Sequence, residues 1–446
     1  MSLSAESLGD QLPVWSAVPF LGLLVAITVL EIAARRWWDH LASKAIVALA
    51  LAAPAAIYLL AGYGSAGGAA LLHTTSDYVS FIILLTALYV IAGGIQIRGS
   101  LAGTPPANTT LLAIGAILAN LIGTTGAAML LIRPLLRANE ERKHKAHLVV
   151  AFILVVANCG GLLTPLGDPP LYLGFLRGVP FDWTLRLWLP WLVANCAILF
   201  IFNIVDRIVL RREAWASRGE PLLDELVEHE PLRVRGLRNL AFLAGIIGVI
   251  LASGSGLGNG GAPWPFGVRE VLMAGLAVGS YALTPRPLYI ANHFSFRPMA
   301  SVAIIFLGIF VTMTAPLLVL NAHSSQLGVT EPWAFYWATG GLSAFLDNAP
   351  TYLSLASVAA GQSGIPTDGM FLAELVSSPV GAEKLAAISV GAVFMGSLTY
   401  VGNGPNLMVK EIAEHRGVRM PNFLIYMLMA VAVMAPVLVV AAYLLP

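Results

Sequence analysis

Between His147 and Leu176 the chain is apolar enough to lie in hydrocarbon, yet it cannot lie there as one helix. Its middle reads Asn158-Cys-Gly-Gly-Leu-Leu-Thr-Pro-Leu-Gly-Asp-Pro-Pro. Pro165, Pro169 and Pro170 each remove a backbone donor, Gly160, Gly161 and Gly167 loosen the backbone, and Asp168 sits inside the break. A second apolar stretch, 385–413, breaks in the same way at Gly396-Ser-Leu-Thr-Tyr-Val-Gly-Asn-Gly-Pro, so that Thr164-Pro-Leu-Gly-Asp-Pro-Pro aligns with Thr399-Tyr-Val-Gly-Asn-Gly-Pro. Irregular backbone at membrane depth survives only where protein or a water-filled cavity covers it. Both breaks therefore have to meet other parts of the chain at the centre of the fold.

The rest of the chain agrees with a membrane setting. Of 446 residues 58% are hydrophobic and 11% charged, too few charges to cover a soluble fold of this size. Spanning helices are expected at 13–34, 44–62, 77–97 and 186–210, and again at 237–253, 268–284, 300–320 and 423–445. The apolar run 104–137 is split by Asn120, Gly123, Thr124, Thr125 and Gly126, and 333–362 is split by Asp347, Asn348 and Pro350. Each arm is too short to cross about 30 Å of hydrocarbon, which predicts a re-entrant helical hairpin in each half.

The expected fold is an all-α polytopic membrane protein of two repeats, each with five transmembrane helices, one of them broken, plus one re-entrant hairpin. Its parts are 1–104 (outer helices of repeat 1), 105–210 (hairpin, broken helix and last helix), 211–236 (a polar connector rich in Arg and Glu), 237–332 and 333–446 (the same two parts of repeat 2). Five crossings is an odd number, so the repeats are inverted. With both termini extracytoplasmic, all of the 25 Lys and Arg except Arg177, Arg186, Arg269 and Lys384 fall on the cytoplasmic side, as the positive-inside rule requires. The amino terminus has no basic flank before Arg35, so the first helix is not read as a cleaved signal. Net charge is +1, which gives no attraction to nucleic acid. Cys159 and Cys196 lie in apolar segments and are expected as small buried side chains, not a disulfide.

Asp168 and Asp347 are the candidates for chemistry, because an ionisable group at this depth costs at least about 2.5 kcal/mol and is kept for a reason. Burial disfavours a bare carboxylate, and a proton or a cation relieves it. Asn348, Asn120, Thr124, Thr125, Asn158, Thr164, Thr351, Thr399, Asn403 and Asn406 supply neutral oxygens around the same breaks, the donor type that hard cations take. A sodium ion held by Asp168, Asp347 and Asn348 is one reading; capping of half-helices by the two Asp residues is the other. Phosphate-binding, zinc-protease and nucleophile-elbow motifs are absent, so no cofactor is expected beyond sodium as transported or coupling ion. Paired broken segments at the centre of inverted repeats point to a transport site and not to an enzyme.

At Asn120–Met129, Thr164–Leu171, Ser343–Leu353 and Gly396–Met408 the chain resembles the ion transporter superfamily of citrate transporters, arsenite permeases and NhaD-type sodium/proton antiporters. Gly167-Asp-Pro-Pro and Asp347-Asn-Ala-Pro are similar to motifs of its antiporter and arsenite-permease branches, whereas the tips Gly123-Thr-Thr-Gly and Asp347-Asn-Ala depart from the Ser-Asn-Thr of the dicarboxylate branch. The resemblance implies a homodimer in a bacterial-type inner membrane, with a fixed scaffold and a mobile unit that moves as an elevator. Its partners would be small inorganic ions and the lipid bilayer. Sodium/proton antiport is the first expectation and ion-coupled transport of an anion such as citrate, a dicarboxylate or arsenite the alternative; an intramembrane acid/base enzyme is remote.

Overall fold

The computed structural model describes residues 5–98, 103–216, 233–259, 264–292, 294–367 and 369–445. Nearly all of the chain in these ranges that has regular structure is helical, and seven helices are long and apolar enough to cross a membrane. The chain is an all-α, multi-pass membrane protein. One short addition was not foreseen, an antiparallel ribbon pairing Gln96–Arg98 with Arg233–Arg235. Most of the connector, 217–232, lies outside the described residues. Side chains such as Leu21, Val25, Leu49, Ile57, Phe200, Val271 and Leu428 are exposed on the helices. Such a surface suits lipid and not water.

Two of the long helices are bent double. In Leu41–Gly93 the chain stays helical through the stretch expected as a loop and reverses at Gly64 (φ 54°, ψ −124°). Gly67 then lies so close to the Leu59 carbonyl that a β-carbon there would be 2.1 Å from the oxygen. Pro105–Ala138 reverses at Gly123 (φ 75°, ψ 155°), a left-handed position natural only to glycine. Asn108 and Asn139, 31 residues apart, exchange hydrogen bonds of 3.0 and 2.8 Å. A straight helix would hold them about 46 Å apart, so this is a hairpin with its two feet side by side. The second hairpin is Pro332–Ser343 followed by Asn348–Gln362, turned at 344–347. Gln362 closes its feet by donating to the Val329 carbonyl.

The broken helices fall where the prolines put them. Ala146–Val155 stops, a 3-10 turn covers Cys159–Leu163, and Pro169–Leu176 resumes the helix. In the second repeat Pro379–Met395, Gly396–Leu398 and Gly404–His415 follow the same plan. Thr164 and Asp168 each precede a proline and are extended (φ −139°, ψ 155° and φ −137°, ψ 145°), as the steric demand of the proline ring requires. The two halves of the chain interlock: the first hairpin packs on Gly404–His415, and the second on Pro169–Leu176. Ala146–Val155 and most of Pro379–Met395 are buried in this shared core, while Leu41–Gly93, Val268–Leu283 and Arg297–Ala322 pack together beside it.

Candidate functional site

The two breaks make parallel local contacts. Gly161 and Gly396, Thr164 and Thr399, Gly167 and Gly402, and Asp168 and Asn403 stand at one constant spacing in the chain. A β-carbon on Gly167 would lie 2.1 Å from the Gly161 oxygen, and one on Gly402 2.5 Å from that of Gly396. Thr164 donates its hydroxyl to the Asn120 carbonyl of the first hairpin, and Thr399 donates to the Ala344 carbonyl of the second. The Gly167 carbonyl accepts from Thr124 N–H (2.7 Å) and the Gly402 carbonyl from Asn348 N–H (3.2 Å). Each break is thus stapled to its own hairpin tip by the same pair of bonds.

Asp168 is where the two copies meet. It is buried, and three neutral side chains donate to it: Thr124 Oγ1 to Oδ1 (2.9 Å), Asn403 Nδ2 to Oδ1 (3.0 Å) and Asn348 Nδ2 to Oδ2 (2.6 Å). These come from the first hairpin, the second broken helix and the second hairpin. The amino-terminal ends of the helical arms that follow Gly123, Asp168, Asp347 and Asn403 also converge here, and their backbone dipoles favour a negative charge. These donors and dipoles offset part of the cost of burying a carboxylate, and no basic side chain lines the cavity beside it. The other side of Asn348 is unusual, because its Oδ1 is buried and has no hydrogen-bond partner among the described residues. An orphaned acceptor costs about 1–3 kcal/mol unless something occupies it. Beside Asp168 lies a cavity of about 20 Å³, lined by Leu84, Leu88, Tyr89, Thr124, Thr125 and Tyr172 among others. That volume holds one water-sized species.

The remaining sequence candidates divide by what they touch. Asn403 also donates to Asn158 Oδ1 (3.2 Å) and the Ala157 carbonyl, Asn158 donates to Asn406 Oδ1 (2.7 Å), and Asn406 donates to the Gly396 and Thr399 carbonyls (2.9 Å each). These asparagines extend the Asp168 network through both breaks. Asn120 holds the first hairpin to the first break, accepting from Leu163 N–H at 2.8 Å. Thr125 lines the cavity. Thr351 donates its hydroxyl to the Asp347 carbonyl one turn back (2.9 Å), a local bond. Asp347 accepts from Ala349 N–H at 3.0 Å and caps Asn348–Gln362, whereas Asp168 makes no such cap. Of the two Asp residues read as possible caps, Asp347 caps its half-helix and Asp168 does not. Among the described residues no group of three His, Cys, Asp or Glu could hold a metal ion. A hard-cation site here would rest on Asp168 and neutral oxygens such as Asn348 Oδ1. Cys159 is buried as expected, but Cys196 is exposed, since it lies on the outward face of Trp188–Ala216.

Two clusters escaped sequence reading. At the feet of the first hairpin, buried Asp206 accepts from Arg142 (2.6 Å), His147 (2.8 Å) and Asn108 (3.0 Å), and Arg142 approaches Glu213 (3.7 Å). The signal was present: Asn108 and Asn139 stand at nearly equal distances on either side of Gly123. Asp77 is buried in an ion pair with Arg177 (2.7 Å). Nothing in the local sequence of either residue names its partner.

Residues 9–445 match the model of a family described as "Putative citrate transport". No curated protein matches the chain significantly in sequence.

Proposed function

The chain belongs to that citrate-transport family and is a secondary transporter, and we propose that the ions it exchanges are sodium and protons, with Asp168 as their shared carrier. The observation that carries this reading is the environment of Asp168: one buried carboxylate, three neutral donors, an unpaired Asn348 oxygen, and no basic residue lining the cavity. A proton on Asp168 turns an acceptor into a donor, and the Asn348 amide can rotate to present Oδ1 to it. Sodium would use the same atoms, with Thr124 and Thr125 within reach at the hairpin tip. Proton and sodium then exclude one another, which is the coupling an antiporter needs. Asp347 adds a second negative charge next to Asn348.

Movement across the membrane would follow the division of the chain. Residues 1–104 and 237–332 serve as scaffold, and 105–210 with 333–446 carry the site as an elevator past it. The hairpins are then re-entrant, and the protein works as a homodimer in a bacterial-type inner membrane.

The family description favours a second reading, in which citrate or a related anion is carried. Four helix amino termini at the site would suit an anion, but Asp168 already occupies them. An anion would therefore enter only after sodium or a proton had neutralised Asp168, and it would need more room than this conformation offers. Purified protein in proteoliposomes with an internal pH dye separates the two. A sodium gradient alone should drive proton movement in wild type and not in Asp168→Asn; a signal that requires citrate in the medium would establish the anion reading instead.

A further inference from the structure

The core that carries Asp168 is tied to the helices beside it, among the described residues, by a buried ion pair at one end of the boundary. Asp77, on the arm of Leu41–Gly93 that lines the cavity, holds Arg177 at the end of Pro169–Leu176 (Oδ2 to Nη2, 2.7 Å). Arg177 is seated on the core side: Nη1 donates to the Thr367 carbonyl (3.4 Å), its carbonyl accepts from Leu372 N–H (3.0 Å), and its guanidinium lies 5.7 Å from the Phe371 ring. Asp77 is seated on the other side, with His73 at 3.6 Å one turn away. Behind it, Ser80 donates to Glu270 (2.6 Å) and Arg269 pairs with Glu270 (2.7 Å).

Among the described residues three buried polar atoms on this same seam have no hydrogen-bond partner: Arg177 Nε, the hydroxyl of Tyr172, and Asp77 Oδ2, which faces Arg177 Nη2 as an ion pair without hydrogen-bond geometry. Tyr172 also lines the cavity next to Asp168. A permanently closed seam would be expected to satisfy such groups. One that opens to water for part of a cycle satisfies them then. At the other end of the boundary the constant spacing between repeats carries Arg177 onto Ile412. Ile412 packs in an apolar cluster with Tyr89, Met129, Met299 and Phe294. An ion pair has one geometry, whereas an apolar face tolerates sliding.

We infer that Asp77 and Arg177 form a latch that closes the cavity at this end and must break each time the core moves past Leu41–Gly93. The inference rests on the elevator reading above but not on which ion is carried. When Arg177 leaves, Asp77 keeps His73 and the Arg269–Glu270 pair as neighbours, so the scaffold side retains a net negative face toward the entering ion.

Two measurements on the full chain in membranes test it. In the first, Asp77→Cys/Arg177→Cys is made in a Cys159→Ala/Cys196→Ser background and joined with a reducible bifunctional thiol reagent, with a monofunctional reagent of the same size as control. Joined protein should lose exchange by at least about tenfold and recover on reduction; exchange that continues at the rate of the monofunctional control overturns the latch. The second needs no substrate. Ser80→Cys, buried behind the pair, should react with a water-soluble thiol reagent at least about tenfold faster when Asp77→Asn is added, and slow again in the reversed pair Asp77→Arg/Arg177→Asp. Unchanged labelling in Asp77→Asn overturns the latch whatever is transported. Faster labelling together with a wild type that moves no protons overturns the antiport reading and leaves the latch standing.

Discussion

Asp168 and Asp347 both open a half-helix, yet their surroundings give them different work. Asp168 is held by Thr124, Asn348 and Asn403 and makes no cap, so the proposed exchange would rest on its charge. Asp168→Asn keeps the shape and removes the charge; exchange should fall at least a hundredfold, about 2.7 kcal/mol, while the purified protein keeps its elution volume. Asp347 accepts a backbone bond at a helix start, a position where Asn serves about as well and Ala costs roughly 1 kcal/mol. If Asp347 contributes its charge to the cation site, Asp347→Asn should abolish exchange as Asp168→Asn does. If it only caps, Asp347→Asn should exchange at the wild-type rate and Asp347→Ala should melt several degrees lower in detergent. Both proton-flux and melting measurements on the three variants decide this. Sequence located both carboxylates and most of the asparagines around them, because polar residues inside apolar runs are conspicuous. It did not show that Asn348 and Asn403, from the second repeat, donate to Asp168 of the first, since contacts between distant segments leave no local mark.

At the scale of elements the breaks were the most legible feature. Prolines forbid the helix, and Thr164-Pro-Leu-Gly-Asp-Pro-Pro against Thr399-Tyr-Val-Gly-Asn-Gly-Pro gave their equivalence directly. The hairpin tips were legible as breaks, but their equivalence was not: Gly123-Thr and Asp347-Asn share no residue, and only the matching backbone bonds to Gly167 and Gly402 reveal it. The reversal at Gly64 falls in the stretch 63–76 expected as a loop, but that the chain stays helical on both sides of it was not legible. These glycines predict a graded series. Gly167→Ala and Gly402→Ala would put a β-carbon 2.1 and 2.5 Å from a carbonyl oxygen on the opposite side of the break, and backbone would have to move. Gly123→Ala would also be strained by its left-handed angle, at about 1–2 kcal/mol. Gly404→Ala, which meets nothing within 4 Å, should be tolerated. Thermal unfolding in detergent should rank Gly404→Ala near wild type and the other three clearly below it; a Gly167→Ala as stable as Gly404→Ala would contradict the close approach of the two strands of the break.

Seen whole, the molecule sorts its polar groups by end, and that sorting bears on how it sits in the membrane. At one end lie the ribbon of Gln96–Arg98 with Arg233–Arg235 and the feet of the first hairpin with Arg142, Asp206 and Glu213. At the other lie Arg177 with Thr367 and Leu372, the feet of the second hairpin where Lys384 donates to Gln362, and the amino-terminal helix, whose Gly9 packs on the Leu318 carbonyl and whose Asp10 shares a cavity with Thr367. Charge counting along the chain assigns the first set to the cytoplasm and the second, with Arg177 and Lys384 among its few cations, to the outside. The ribbon is the independent check, because hydrogen bonds force the segment after Leu41–Gly93 and the end of the connector onto the same face of the bilayer. Two hairpins with feet at opposite ends are what inverted halves require. The expected topology therefore has both termini extracytoplasmic and the 211–236 connector cytoplasmic. Single cysteines placed at the amino terminus, in the connector and after Tyr443, in a background lacking Cys159 and Cys196, should react with an impermeant thiol reagent in whole cells at the two termini only. Labelling of the connector from outside would invert the orientation, and with it the side from which the proposed sodium ion would reach Asp168.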